Sequence, residues 1–213
     1  DMLFARDEFV EKGYYDSLAK SIVSILKGKI GNSKILDAGC GTGYYTNIVQ
    51  KEMKSSCVYG VDIAKKGVKI SAKRNKSANF AVCSVFDMPF KDASFDSILN
   101  IFSPFAFDEY YRLLNRDGIL ISVYPGANHL IELKNQLYGK ETFLNDKHID
   151  YGAFKLIEKR SVQGSMFLDN KAILSLIKMT PYFYRTSHEK LNNLSKVKNL
   201  DITYDFIIDV LGK

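Results

Sequence analysis

With 213 residues and 46% hydrophobic content, the chain has material for one substantial core and no need of a second. Its formal charge of +6 permits a nucleic-acid partner without requiring one, while cysteines only at 40, 57 and 83 form no C-x-x-C pair and write neither a disulfide framework nor a zinc site here. No apolar run approaches the ~20 residues of a membrane span and no charged, apolar and small-residue leader opens the chain, so the expectation is a soluble, cytoplasmic protein with no membrane partner.

In chain order, Met2 to Gly13 carries Leu3, Phe4, Phe9 and Val10 and predicts a helix. After Tyr14 and Tyr15 a second helix is predicted over Ser17 to Lys27, with Leu18, Ile22, Ile25 and Leu26 on one face, ended by Gly28 and Gly31. Residues 1–31 are thus set apart as a helical lead-in to 32–213. Ile35-Leu36-Asp37 is a short apolar strand ending in a carboxylate. It breaks into Gly39-Cys40-Gly41-Thr42-Gly43 before helical periodicity resumes over Tyr44 to Met53. Three glycines remove every Cβ from alternate loop positions and admit positive φ, so a flat polar ligand could lie against bare peptide. The ordinary alternative is a plain strand-to-helix turn. Tyr44 stands where the dinucleotide fingerprint needs its last glycine, which argues against NAD, and no Gly-Lys-Ser/Thr follows, which excludes a P-loop.

The next strand, Cys57 to Asp62, ends in an acid about 20 residues past the glycines, where a carboxylate accepts ribose hydroxyls. The helix predicted over Ala64 to Lys76 places Lys65, Lys69, Lys73 and Lys76 on one face, read as solvated in preference to an RNA contact. Phe80 to Ser84 is a third strand. Met88-Pro89-Phe90 and Ala93-Ser94-Phe95-Asp96 lead into a fourth, through Phe102. Asp108 to Leu114 is a helix, Arg116-Asp117-Gly118 a turn, and Ile119 to Val123 the fifth strand. The tail supplies a strand from Phe154 to Leu168, a helix from Asn170 to Met179 and a final strand from Ile202 to Val210. His148 and His188 have no motif around them and read as surface residues.

An acid before the loop, three glycines, an acid ending strand two, and Met-Pro-Phe with Ala-Ser-Phe-Asp together resemble the class I S-adenosylmethionine-dependent methyltransferases. The resemblance implies an α/β, Rossmann-like fold. Its seven-stranded sheet is mostly parallel with the last strand inserted antiparallel, and helices lie on both faces. More specific stretches are Gly13-Tyr14-Tyr15-x-x-Leu18, Gly39 to Thr46, Ala72-Lys73-Arg74, Pro125-Gly126-x-x-His129 with Leu130-x-Glu132-Leu133-Lys134, and Met179-Thr180-Pro181-Tyr182-Phe183-Tyr184-Arg185. These resemble the large-subunit, 23S rRNA (guanine-N1)-methyltransferases. What that implies is methyl transfer to N1 of a hairpin-loop guanine, with ribosomal RNA as partner. The lead-in would lie over the cofactor, and 32–213 would be the catalytic domain.

The cofactor implied is S-adenosyl-L-methionine, with contacts at Tyr15, Asp37, Gly39, Gly41, Thr42, Gly43, Asp62, Ile63 and His129. The family's acid ending strand three aligns with Ser84, so adenine would rest on Ser84 and the backbone of Val85. His129 could donate to the methionine carboxylate or merely open a helix. No metal is expected in this chain; zinc belongs to a cysteine and histidine module that family members carry ahead of the lead-in. Asn100, Ser103 and Tyr124, at the ends of strands four and five, are candidates for holding the guanine, with structural roles equally open. Tyr182, Phe183 and Tyr184 could stack a splayed base while Arg185 meets phosphate, or the segment could be a packed turn. No residue stands out as the base that removes the N1 proton. A small-molecule methyltransferase is the alternative function, and the oligomeric state is open, with a homodimer as one arrangement.

Overall fold

The computed structural model describes residues 2–139 and 149–213; His148 lies outside them. The elements are α1 (Met2–Glu11), α2 (Asp16–Lys29), β1 (Lys34–Ala38), α3 (Tyr44–Glu52), β2 (Cys57–Asp62), α4 (Lys65–Arg74), β3 (Asn79–Val82), β4 (Phe95–Ile101), α5 (Phe107–Leu113), β5 (Leu114–Pro125), α6 (Ile131–Tyr138), β6 (Lys155–Asp169), α7 (Asn170–Lys178), α8 (Tyr182–Arg185), α9 (His188–Leu194) and β7 (Asn199–Gly212). The strands form one mixed seven-stranded sheet of order β3-β2-β1-β4-β5-β7-β6, antiparallel in its last strands. It is the expected class I arrangement. No helix among the described residues is long and apolar enough to cross a membrane.

By packing, the chain forms two compact units. One gathers residues 2–16, 125–139 and 161–206, the other 17–124, 149–160 and 207–213. Thus α1 belongs to the first and α2, from Ser17, to the second, although the sequence groups both in one lead-in.

In the second unit, α2 forms because Leu18, Ile22, Ile25 and Leu26 recur at helical spacing and are buried, while Asp16 at its start and Lys27 and Lys29 at its end suit the helix dipole. β1 is an inner strand, buried from Ile35 to Ala38, and pairs in parallel with β2 (Asp37 beside Gly60) and β4 (Asp37 beside Leu99). A strand covered on both faces has a continuous apolar run. Alternation sorts its side chains: Leu36 and Ala38 join Ile98, Leu120, Tyr110 and Leu113 in the core beneath α5, whereas Asp37 points to α3, where Thr46 donates to it. Helices therefore lie on both faces.

Two sequence readings are corrected. Arg116-Asp117-Gly118 is no turn but a bulge inside β5. Phe95 pairs with Leu114 and Ser97 with Ile119, so five positions of β5 span two of β4. The bulge is pinned by Asn115 Nδ2 donating to Asp96 Oδ1 at 2.6 Å, and by Gly118, where a Cβ would meet the Asp96 carbonyl at 3.0 Å. β3 ends at Val82, so Ser84 lies past the strand, bridged to Asp87.

A short polar chain crosses the apolar α5 face. Asn100 Nδ2 donates to Tyr110 Oη (3.1 Å), which donates to the Pro104 carbonyl (3.1 Å). Tyr110 is fully buried, so Tyr110→Phe should remove one of the two donors to Pro104 and an acceptor of the Asn100 amide, and cost about 1–3 kcal/mol, read as a lower urea midpoint at unchanged slope.

Candidate functional site

In the second unit the chain leaves β1 through Gly39 (φ 89°), Gly41 (φ 55°) and Gly43 (φ 82°) and enters α3 at Tyr44. The end of β2 supplies what the loop lacks. The Val61 carbonyl accepts from the N–H of Gly39 (2.8 Å) and of Cys40 (2.9 Å). Asp62 Oδ2 accepts from Gly41 N–H (2.8 Å) and Oδ1 from Ala64 N–H (2.7 Å). Each carboxylate oxygen of Asp62 keeps a lone pair for another donor. Loop and acid, read separately in the sequence, are one hydrogen-bonded structure.

Two glycines are demanded by what touches them. A Cβ at Gly39 would lie 2.3 Å from Ser103 Oγ, and one at Gly43 would lie 2.8 Å from Ser71 Oγ. Ser71, on α4, also donates to the Gly41 carbonyl (3.1 Å) and to Gly67 (3.0 Å). Nothing in the sequence marks Ser71, because a serine inside a lysine-rich helix looks solvated. At Gly41, by contrast, a Cβ would meet nothing within 4 Å, so this part of the loop faces open space.

Asp37 is 2% exposed and accepts from Thr46 Oγ1 at 2.5 Å. Burial lifts its pKa to about 6, the Thr46 bond opposing and nearby Asp62 adding to the rise. Burial, with Asp37 and Asp62 nearby, pushes the Cys40 thiol up, so it is no nucleophile. Thr42 is buried, and Ile63 is 76% exposed beside Asp62. Past β3, Ser84 Oγ accepts from Phe86 N–H (3.2 Å), Val85 is buried, and Phe86 is exposed. Ser84 thus shapes a turn with its hydroxyl.

The loop after β4 opens with Phe102 at φ 55°, a conformation bulky residues avoid. That turn brings Ser103 over Gly39. Asn100, 3% exposed, spends its amide on the carbonyls of Ser103 (3.2 Å) and Pro104 (3.1 Å) and on Tyr110, while its oxygen faces Ser122 Oγ at 3.4 Å. Tyr124 stands elsewhere, bonded to Asp209 and Lys159. The three guanine candidates are therefore not one cluster: Ser103 is on the glycine loop, Asn100 beneath its own loop, and Tyr124 on β5.

The first unit brings together Tyr15 and His129, 6.4 Å apart by ring centre and both packed on Phe206. Asp205, which the sequence analysis missed, organises them. Its N–H donates to His129 Nδ1 (3.2 Å), and its carboxylate accepts from Asn128 N–H and Gln163 Nε2 (3.0 Å each). At Gly126 a Cβ would lie 2.5 Å from that carboxylate, which explains Pro-Gly-x-x-His. With Nδ1 accepting, the neutral imidazole carries its proton on Nε2. Burial and Lys134 lower its pKa to about 4. Tyr15 Oη is buried with no hydrogen-bond partner among the described residues, and burial raises its pKa.

In Leu-x-Glu-Leu-Lys, Glu132 accepts from Thr203 N–H and Oγ1, both at 2.7 Å, and buried Lys134 stands 5.9 Å from the Tyr182 ring. Tyr182 also meets Tyr138 edge-on at 6.3 Å. The 182–185 segment is a short helix, α8, in which Tyr182 is packed while Tyr184, 73% exposed, and Arg185 face outward. The following helix, α9, was missed although Ser187 caps it by accepting from Lys190 N–H. No cluster of three or more histidine, cysteine, aspartate or glutamate side chains suited to a metal occurs among the described residues.

Residues 30–178 match the family described as "Methyltransferase domain". The Bacillus subtilis (strain 168) protein named "Putative 23S rRNA (guanine-N(1)-)-methyltransferase YxjB" is 33% identical, over 99% of this chain and 78% of its own. The 23S rRNA (guanine(748)-N(1))-methyltransferase of Streptomyces fradiae is 26% identical over 90% of this chain and 71% of its own. A solved geranyl diphosphate methyltransferase in complex with SAM shares the fold, with TM-score 0.56 and 15% identity over 92% of this chain and 84% of that one.

Two outcomes follow from the geometry. Gly39→Ala adds a clash to a positive φ and should cost at least about 1–3 kcal/mol. The added change Ser103→Gly should return part of it, whereas Gly41→Ala strains φ alone; thermal melts of the three variants check the order. The second concerns pH. The folded His129 pKa of about 4 lies below the unfolded value of ~6.5, so acidification from pH 6.5 to 4 removes stability, by about 3 kcal/mol at most. Asp37, raised to about 6 from ~3.9, works oppositely: its contribution is full below pH 4 and fades as pH climbs through 6. Hence His129→Gln should be less acid-sensitive than the wild type and Asp37→Asn more so, by urea midpoints at pH 4.5 and 7.

Proposed function

Because the chain belongs to the methyltransferase-domain family and is an S-adenosylmethionine-dependent methyltransferase, we propose that its acceptor is N1 of a hairpin-loop guanine in 23S rRNA, methylated in the cytoplasm. The observation that carries this reading is the 33% identity, over nearly the whole chain, to a relative named for that activity. The surplus of positive charge supports an RNA partner.

The residues present suit the cofactor. Asp62 has lone pairs to spare for ribose hydroxyls, the peptide at Gly41 is open, and exposed Ile63 and Phe86 offer apolar cover for a flat ring. Asp37 and the loop residues Gly39, Thr42 and Gly43 complete the set. The bound cofactor supplies a sulfonium methyl, already activated, so no metal is needed. The chain's own task is to align the acceptor and exclude water. Asp37, on the reading that it meets the cofactor's ammonium, ionises when the site fills. In the other unit, Tyr184 is the aromatic free to stack an RNA base, Arg185 takes phosphate, and Tyr182 and Phe183 hold the segment.

The test is transfer of tritiated methyl to 23S rRNA from an undermodified strain, with the modified base mapped. Label at guanine N1 is the expected result; label in small metabolites and none in rRNA would replace the RNA reading by a small-molecule one. In the same assay Tyr184→Ala should lose roughly 1–3 kcal/mol of RNA affinity with an unchanged melting temperature. Tyr182→Ala should instead melt earlier, since it loses packing against Lys134 and Tyr138.

A further inference from the structure

The same unit that holds the glycine loop contains a polar cluster built around Tyr124, one of the residues the sequence offers for holding the guanine. Asp209 of β7 is 1% exposed, and its Oδ2 accepts from Tyr124 Oη (2.8 Å) and Tyr151 Oη (2.7 Å). Lys159 of β6 donates to Tyr124 Oη at 3.1 Å. Its Nζ stands 3.2 Å from Asp209 Oδ1, an ion-pair contact. The four groups facing one another are therefore one carboxylate, two phenols and one ammonium. The lysine side chain is 53% exposed and Tyr124 half-buried, so the cluster opens to solvent at this end.

Its place in the fold is informative. Tyr124 is the penultimate residue of β5, and the residue before it, Val123, accepts from the N–H of Phe102, where the loop carrying Ser103 begins. The Tyr151 ring packs edge-on against Phe105 of that loop, 5.5 Å away. The cluster thus sits at the carboxyl ends of the parallel strands, the side on which open sheets take their ligands. A carboxylate buried against two phenols and paired with a lysine half in water is more than a tie between strands would need.

We propose that Tyr124 and Asp209 form the proton relay that deprotonates the acceptor guanine, a role that rests on the guanine-N1 reading. Tyr124 Oη has one proton, given to Asp209, and two lone pairs, one taken by Lys159; the second is open to an N–H donor. As the N1–H bond breaks, its proton passes to Tyr124 Oη while the tyrosine's own proton passes to Asp209 Oδ2. The electron pair left on N1 forms the new N–CH3 bond as the sulfonium C–S bond breaks. Lys159 offsets the negative charge that crosses Tyr124 Oη, and Tyr151 positions the carboxylate. Burial raises the Tyr124 pKa, so the phenol keeps its proton at neutral pH and passes it on instead of starting as phenolate.

The test is methylation of an rRNA hairpin transcript by full-length Tyr124→Phe across a pH series. The expected result is kcat lower by about 100- to 10,000-fold at neutral pH, with cofactor affinity by calorimetry unchanged and the melting temperature lowered only slightly, since Tyr151 still donates to Asp209. The deficit should shrink as pH rises toward the range where guanine releases its N1 proton unaided. Asp209→Asn should show the same pH dependence; if it melts early, Lys159→Gln, at an exposed position, takes its place with a smaller loss. A Tyr124→Phe enzyme as fast as wild type, or slowed equally at every pH, overturns the relay alone. A wild type that labels no guanine N1 overturns the relay together with the function it serves.

Discussion

The glycine loop exists in its observed form because the end of β2 bonds it. A peptide stretch with three glycines has the least intrinsic preference for one conformation, and α3 has no side-chain cap at Gly43 to impose one. Val61 and Asp62 supply acceptors for three consecutive N–H groups, at Gly39, Cys40 and Gly41. The spacing of about 20 residues between loop and acid is therefore set by geometry: one helix must run back along the sheet before the neighbouring parallel strand can return beside β1. The ribose contact proposed for Asp62 would be added to a carboxylate that already holds the loop.

Asp205 plays the corresponding part in the other unit. Its backbone N–H selects the histidine tautomer, its carbonyl accepts from Gly126 N–H at 2.8 Å, and its carboxylate fills the space where a Gly126 side chain would go. Pro125-Gly126-x-x-His129 is the footprint of this one residue. Glu132 bonding Thr203, two residues earlier on β7, extends the same register, and Lys134 ties the motif to Tyr182. Stretches that look like separate signatures, at 125–134 and 179–185, are therefore neighbours through α6.

What the sequence makes legible is local. β1, β2 and α3 were read within a residue or two because apolar runs and helical spacing are written in consecutive positions. The β5 bulge was read as a turn because Arg116-Asp117-Gly118 has turn chemistry, and only Asp96, on another strand, decides otherwise. α9 hid because His188 to Leu194 is short, with only Leu194 buried. Ser71, Asp205, Lys159 and Asp209 carry no motif; each acquires its role from a partner 30 or more positions away, and register at that range is not readable from one sequence.

The apolar α5 face shows what separates scaffold from chemistry. Leu36, Ala38, Ile98, Leu120 and Leu211 line it, and an unbonded polar group there costs about 1–3 kcal/mol. Asn100 meets that cost by spending its whole amide on its own loop and on Tyr110, and Ser122 by turning to Asn100. Both are fully accounted for as structure, since they have little capacity left for a ligand. Asp209 differs. Two phenols share one of its oxygens while the other keeps only an ion-pair contact with a lysine that reaches into water. Replacing a whole buried ion pair by apolar groups is often neutral or stabilising, so the pair is weak evidence for a stability role. The proposed relay gives the cluster a different role, in which the lone pair on Tyr124 and the carboxylate behind it act when a donor arrives.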